Sequence, residues 1–216
     1  MTLPRDIARP WPWAKSYPAG ISPDVALVTW SVPEMIRRSA ERFGERDAFE
    51  FRGATVSYRR LAAEMDRVAA AFLAAGYGPG ARIALYLPNT LYHPFAFLGA
   101  LRAGATVVHL SPLDSPTTIA HKLSDSGARV VVTTNLGEMA NGAAKLLAAG
   151  LVDRVIVGDD AAFGPSPLTG PMPSGPGVTG WEEFLAGGEA DAAFPTVSTG
   201  DLALLQYTGG TTGLPK

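Results

Sequence analysis

The sequence predicts an α/β fold in which an open, mostly parallel sheet is flanked by helices. Short apolar runs, mostly β-branched, recur at Arg82 to Leu87, Thr106 to Leu110, Arg129 to Thr133 and Arg154 to Val157, as expected of strands buried on both faces. Segments of helical period lie between them, and Gly and Pro fall largely at the joints. Alternating strands and helices of this kind connect by right-handed crossovers into a parallel sheet.

Taken in order, residues 1–30 read as an N-terminal arm, 31–200 as the α/β lobe, and 201–216 as a strand and loop leading out of it. Within the arm, Trp11, Trp13 and Tyr17 are expected to anchor the chain on the protein, with contact to a membrane surface as the alternative. Pro33 to Phe43 is an amphipathic helix with Ser31 near its start and Gly44 as its terminator. A small hairpin near 48–57 turns at Arg52-Gly53. Tyr58, Leu61, Ala62, Met65, Val68, Ala69, Phe72 and Leu73 then share one helical face that belongs in a core.

Three crossover helices follow. Tyr92 to Arg102 is apolar and tolerates Pro94 only in its first turn. The second is capped by Ser115, has Pro116 at its first position, turns Ile119 and Leu123 inward and stops at Gly127. The third spans Glu138 to Ala149. The stretch 158–180 is rich in Pro, Gly and Ser and reads as a surface excursion or lid element, and Trp181 to Leu185 as a short helix. Leu202-Ala203-Leu204-Leu205 reads as a buried strand that either joins the sheet or begins a junction with another lobe.

With 216 residues and 47% hydrophobic composition, the chain can build one good-sized core or two modest lobes. A formal net charge of -2 gives no support for bulk attraction to nucleic acid. There is no cysteine, so disulfides, thiol nucleophiles and thiolate metal sites are excluded from these residues. No run is long and apolar enough to predict a transmembrane helix or a signal peptide.

The stretch richest in chemistry is Thr208-Gly209-Gly210-Thr211-Thr212-Gly213-Leu214-Pro215-Lys216. Gly209, Gly210 and Gly213 let the main chain approach an anion closely, Thr208, Thr211 and Thr212 offer hydroxyl donors, and Lys216 adds a compact positive charge. The glycine-to-lysine spacing departs from G-x-x-x-x-G-K-S/T, so this is not a standard Walker loop. The residues alone support phosphate contact, with a purely structural glycine turn as the alternative.

Leu205-Gln206-Tyr207 leading into this loop closely resembles the Y-T-S/G-G-T-T/S-G-x-P-K motif of the acyl-adenylate-forming enzymes, the superfamily of acyl-CoA synthetases, adenylation domains and luciferases. The resemblance continues upstream in Ala84-Leu85-Tyr86-Leu87-Pro88-Asn89, in Leu101-Arg102-Ala103-Gly104-Ala105 and in Ile119 through Ala128. Pro10-Trp11-Pro12-Trp13 and Tyr17-Pro18, with the form of the loop, look most like bacterial long-chain fatty-acid-CoA ligases.

This resemblance implies a partial N-terminal domain of an enzyme that joins a carboxylic acid, here a fatty acid, to CoA through an acyl-adenylate. ATP and CoA are then cosubstrates and Mg2+ serves the intact enzyme. Thr208, Gly209, Gly210, Thr211, Thr212, Gly213 and Lys216 would hold the ATP phosphates, with Lys216 also stabilising charge in catalysis. The adenine pocket, an acidic magnesium motif, a ribose-binding aspartate and a mobile C-terminal domain with its own lysine would lie in a further C-terminal portion of the same enzyme. These residues alone are therefore expected to be inactive, and the intact protein to work in the cytoplasm or peripherally at the inner membrane. No oligomeric state follows. The alternative of a different class is a nonenzymatic nucleotide-binding or structural interaction module.

Other polar residues read structurally. His121 is expected to pack or hydrogen-bond within its helix, Asp125 to sit at a helix end, and Pro88 and Asn89 to cap a strand-to-helix turn. His93 and His109 are not grouped for metal ligation, and none of these residues is assigned to a metal. His109 and Ser111 stand where the family's V-P-x-N-P stretch has proline and asparagine. Glu182, Glu183, Glu189 and Asp191 read as solvated charges.

Overall fold

The computed structural model describes residues 12–21 and 29–208. After a 3-10 turn at Ala14–Ser16 come α1 (Val32–Phe43), β1 (Asp47–Phe51), β2 (Ala54–Ser57) and α2 (Tyr58–Ala74). The alternating region contains β3 (Arg82–Tyr86), α3 (Tyr92–Arg102), β4 (Thr106–Leu110), α4 (Pro116–Ser126), β5 (Val130–Thr134), α5 (Met139–Ala148) and β6 (Arg154–Gly158). It ends with β7 (Val178–Gly180), α6 (Trp181–Ala186) and β8 (Leu204–Leu205).

Six strands form one sheet in the order β7-β6-β5-β3-β4-β8, and every neighbouring pair is parallel. The α/β class with a parallel sheet flanked by helices is therefore the observed architecture. β1 and β2 form a separate antiparallel hairpin. Its turn carries Arg52 at φ 52° and Gly53 at φ 80°, two positive values that match the twist of a tight hairpin.

Side chains alternate across the sheet and divide the interior in two. Ile83, Leu85, Val107, Val130, Val132 and Ile156 face the cluster built with α2, α3 and α6. Ala84, Tyr86, Val108, Leu110, Val131, Val155 and Val157 face the cluster built with α4 and α5. This period of two explains why the strands are apolar throughout rather than in alternation: both faces are covered.

Local signals set several boundaries. Ser57 Oγ accepts a hydrogen bond from the Arg60 amide at 3.2 Å, and Ser115 Oγ one from the Thr118 amide at 3.2 Å, so α2 and α4 begin at side-chain caps. Gly127 closes α4 in the left-handed region. Ser31 precedes α1 without a side-chain cap.

The α2–α3 contact depends on Gly99. A Cβ there would sit 2.5 Å from Val68 Cβ and 3.2 Å from the Ala69 amide nitrogen. Val68 is β-branched and fully buried, so it has no alternative rotamer into which to retreat. Gly99→Ala is expected to destabilise the fold by about 1–3 kcal/mol through overpacking, outweighing the gain of up to about 1 kcal/mol that alanine brings to a helix interior. Denaturant unfolding checks the sign; a stabilised variant would show that the helices can separate without cost.

Two sequence expectations change. The Pro/Gly/Ser-rich stretch near 158–180 ends in a strand, β7, which the sequence reading did not find. Val178-Thr179-Gly180 is too short to carry its own periodic signal, and becomes a strand because β6 offers Val155, Ile156 and Val157 as partners. The stretch is also tied down along its length. Asp160, fully buried, accepts from Arg52 at 3.0 Å and from the Thr169 hydroxyl at 2.8 Å. Asn135 donates to Gly170 O at 2.9 Å and to Asp159 Oδ1 at 3.1 Å, and accepts from the Asp160 amide at 2.7 Å.

Secondly, Leu202 to Leu205 is not a buried strand. Only Leu204–Leu205 pairs, on the outer side of β4, and Leu202 is 57% exposed. A strand at the end of a sheet has a neighbour on one side only, which leaves the run half covered. In the arm, Trp11 lies outside the described residues, while Trp13 and Tyr17 are 54% and 42% exposed. No helix among the described residues is long and apolar enough to cross a membrane.

Candidate functional site

The order of the strands marks one edge of the sheet. From β3 the chain crosses through α3 to β4, then returns through α4 to β5 on the opposite side of β3. α3 packs on one face and α4 on the other. Helices that diverge in this way leave a crevice beyond the C-terminal ends of the strands, where open parallel sheets bind ligands. β8 delivers Gln206, Tyr207 and Thr208 to that edge, and Thr208 is exposed. Gly209, Gly210, Thr211, Thr212, Gly213 and Lys216 lie outside the described residues.

β8 is held to β4 by parallel pairing of Leu204 with Val107 and of Leu205 with Val108, and by the Thr106 hydroxyl donating to Leu202 O at 3.0 Å. Beyond it the side chains continue to alternate. Leu204 packs with the α2/α3 cluster, while Leu205 and Tyr207 pack with the α4/α5 cluster. Gln206 meets His109, with Oε1 2.9 Å from Nδ1. The Tyr207 hydroxyl donates to Asp125 at 2.6 Å, and its ring meets His121 edge-on at 6.4 Å. Burial, and after it Asp125, pushes the Tyr207 phenol up to about 12, so the hydroxyl keeps the proton it donates.

The turn after β4 is fixed by polar contacts. The Ser111 amide donates to Asp114 at 2.9 Å and the Leu113 amide to Ser111 Oγ at 3.1 Å. Lys122, only 5% exposed, reaches the same Asp114 carboxylate at 2.6 Å. A buried ammonium without such a partner would be costly, so this pair ties the turn to α4.

His93 and His109 stand with ring centroids 5.1 Å apart and pack with Phe97, a contact between the two rings rather than a ligand group. The first turn of α3 and the end of β4 meet because both lie at the C-terminal edge of one strand-helix-strand unit, a proximity that linear spacing does not display. Burial first, and His109 second, hold the His93 imidazole below its ordinary range, favouring the neutral ring. Asn89 does not cap α3: the helix starts after Leu91, where no side chain caps it, and Asn89 is exposed. The turn is made instead by backbone bonds from Thr90 N to Pro88 O at 2.8 Å and from His93 N to Thr90 O at 3.1 Å.

His121 packs within its helix against Tyr207 as read, whereas the partnership of Asp125 with Tyr207 was missed. Glu182, Glu183, Glu189 and Asp191 are all exposed, and Glu182 pairs with Arg67 at 3.0 Å. Among the described residues no group of three or more His, Asp or Glu side chains could hold a metal ion.

A family model for AMP-binding enzymes matches residues 36–216. The chain belongs to the AMP-binding enzyme family. It is 34% identical to a long-chain-fatty-acid–CoA ligase of Yersinia pestis, over 94% of this chain and 39% of that protein. A ligase of the same name from Escherichia coli O157:H7 is 33% identical over the same shares. Among solved structures, Mycobacterium smegmatis MbtA in its apo form superposes with a TM-score of 0.69 at 27% identity, covering 88% of this chain and 33% of MbtA. This AMP-binding chain thus spans 39% of the length of those ligase relatives.

Proposed function

We propose that the protein activates a carboxylic acid as its adenylate, using ATP, and then transfers the acyl group to CoA, with a fatty acid as the substrate. The observation that carries this reading is the run rich in glycine and threonine and ending in lysine at 208–216, which in sequence follows a strand whose C-terminal end lies at the ligand edge of a parallel sheet, in a chain of the AMP-binding family. The long-chain-fatty-acid–CoA ligases among its relatives support the choice of acid and acceptor.

In the first step a carboxylate oxygen attacks the α-phosphorus and the bond to the departing pyrophosphate breaks. The amides of Gly209, Gly210 and Gly213 and the hydroxyls of Thr208, Thr211 and Thr212 would orient the phosphates, and Lys216 would stabilise the charge that accumulates on pyrophosphate. In the second step the CoA thiolate attacks the acyl carbonyl and AMP leaves with the electron pair of the broken acyl–phosphate bond. No covalent nucleophile from the protein is required. Mg2+ would serve the phosphates in the intact enzyme; among the described residues no group of three or more His, Asp or Glu side chains could hold a metal ion. Use of ATP and CoA supports work in the cytoplasm or peripherally at the inner membrane.

The intact protein tests this reading by acid-dependent exchange of labelled pyrophosphate into ATP, followed by thioester formation with free CoA or with a pantetheinyl carrier protein. Fatty acids should drive exchange, and CoA should accept the acyl group. ATP binding with no exchange for any fatty, aromatic or dicarboxylic acid would overturn the enzymatic reading and leave a nucleotide-binding module. Transfer to the carrier alone would retain adenylation and replace the acceptor.

A further inference from the structure

The two residues that follow β8 each make a side-chain hydrogen bond to another element, on opposite faces of the sheet. Gln206 points to the α3 face, where His109 Nδ1 meets its Oε1 at 2.9 Å. Tyr207 points to the α4 face, where its hydroxyl donates to Asp125 at 2.6 Å and lies 3.4 Å from Lys122 O. We propose that His109 and Asp125 are positioning residues for the phosphate loop, fixing Gln206 and Tyr207 so that the chain leaves the sheet at Thr208 in one direction; this rests on the adenylation reading.

The need for such a clamp follows from how little else holds the segment. β8 pairs through two residues, at the edge of the sheet, and with a single neighbour. Loop donors stabilise developing charge only if their direction is set before the reaction. Two side-chain bonds on opposite faces resist both twisting of the strand and lifting from the sheet, which either bond alone would permit.

The contact with Gln206 Oε1 calls for a proton on His109 Nδ1, and Nε2 is buried without a hydrogen-bond partner among the described residues. His93 and Phe97 pack against the ring from α3. A buried nitrogen left without a partner costs free energy, so the ring is kept in place by the bond it makes with Gln206 and by this aromatic packing.

The test uses His109→Leu, His109→Asn, Gln206→Leu, the His109→Leu/Gln206→Leu double variant and Tyr207→Phe in the intact protein. Asparagine keeps a polar atom near the position of Nδ1 and should recover most of the loss. His109→Leu and Gln206→Leu should each lower kcat/KM for ATP in pyrophosphate exchange by about fivefold, the double variant by no more than either, and Tyr207→Phe by about threefold. KM for the carboxylic acid and the unfolding midpoint should change little. Additive losses in the double variant, or a His109→Asn variant as impaired as His109→Leu, would overturn the His109 arm; full activity in Tyr207→Phe would overturn the Asp125 arm.

A second measurement does not depend on turnover. Nitrogen-15 spectra of His109 should show the proton on Nδ1, and Gln206→Leu should shift it toward Nε2. An unchanged tautomer overturns the Gln206–His109 contact even in a protein that fails to exchange pyrophosphate, whereas absent exchange with the expected tautomer overturns the adenylation reading alone.

Discussion

Lys216→Ala is expected to lower acid-dependent pyrophosphate exchange in the intact protein by about two to three orders of magnitude, the scale of losing one preorganised charge stabiliser. The lysine is the single cation in the run Thr208 to Lys216, whereas hydroxyls and amides are several, so its loss has no local substitute. Negative charge builds on the β- and γ-phosphates as the α-phosphorus bond breaks, and a fixed ammonium there acts more strongly on the transition state than on bound ATP. Turnover should therefore fall more than ATP affinity. Thr212→Ser keeps the hydroxyl and loses one methyl, and should stay within about threefold of the unaltered protein. Exchange rates with ATP affinity measured alongside decide the matter; an unchanged rate in Lys216→Ala at intact affinity would remove the lysine from the reaction.

Arg52→Asn is expected to destabilise the fold by about 3 kcal/mol, because it strips the cation from a fully buried carboxylate. The choice of asparagine matters. Arg52 occupies the left-handed region at φ 52°, which asparagine tolerates far better than alanine, so the loss reports on the guanidinium's bonds to the Asp160 carboxylate and to the Asp160 and Gly164 carbonyls rather than on turn strain. Without the guanidinium, Asp160 keeps only the Thr169 hydroxyl on Oδ2, and its Oδ1 has no side-chain or backbone partner among the described residues. The pair joins the hairpin turn to the segment after β6, 108 positions away in the chain, so its loss should loosen both. In a double-mutant cycle with Asp160→Asn the cost of removing Arg52 should shrink, since the uncompensated charge is then gone. Urea midpoints at constant slope measure both effects; equal costs in the two backgrounds would show that the ion pair is not what holds these segments together.

These two sites differ in how far the sequence shows them. The loop at 208–216 is a continuous string whose chemistry is written in residue type and spacing, and residues 36–216 match the family. Arg52 and Asp160 give no such sign: no spacing or motif links an arginine in a hairpin turn to an aspartate in a Pro/Gly-rich stretch. The same holds for His109 with Gln206 and for Asp125 with Tyr207, whose partners lie 97 and 82 positions apart.

The helices and central strands follow from local rules. Tyr92 to Arg102 is α3 as read, Ser115 and Pro116 begin α4 and Gly127 ends it, because caps and periodicity act within a few residues. β7 escaped the sequence, and β8, expected as a strand that could join the sheet, does join it but is shorter and less covered than expected, for the opposite reason. Val178-Thr179-Gly180 is strand only because β6 stands beside it, and Leu202 to Leu205 is half covered only because the sheet ends there.

The sequence by itself thus determined the α/β class, the order of helices and inner strands, and the family, with the glycine- and threonine-rich run at its motif, since each is encoded in contiguous residues or in a short repeat of hydrophobicity. Only the tertiary structure decided the strand order, the covering of the two sheet faces, the Arg52–Asp160 tie and the contacts of His109 with Gln206 and of Asp125 with Tyr207. Those depend on which distant side chains a crossover brings within hydrogen-bonding distance, and a bond of about 3 Å between residues far apart in the chain leaves no periodic trace along it.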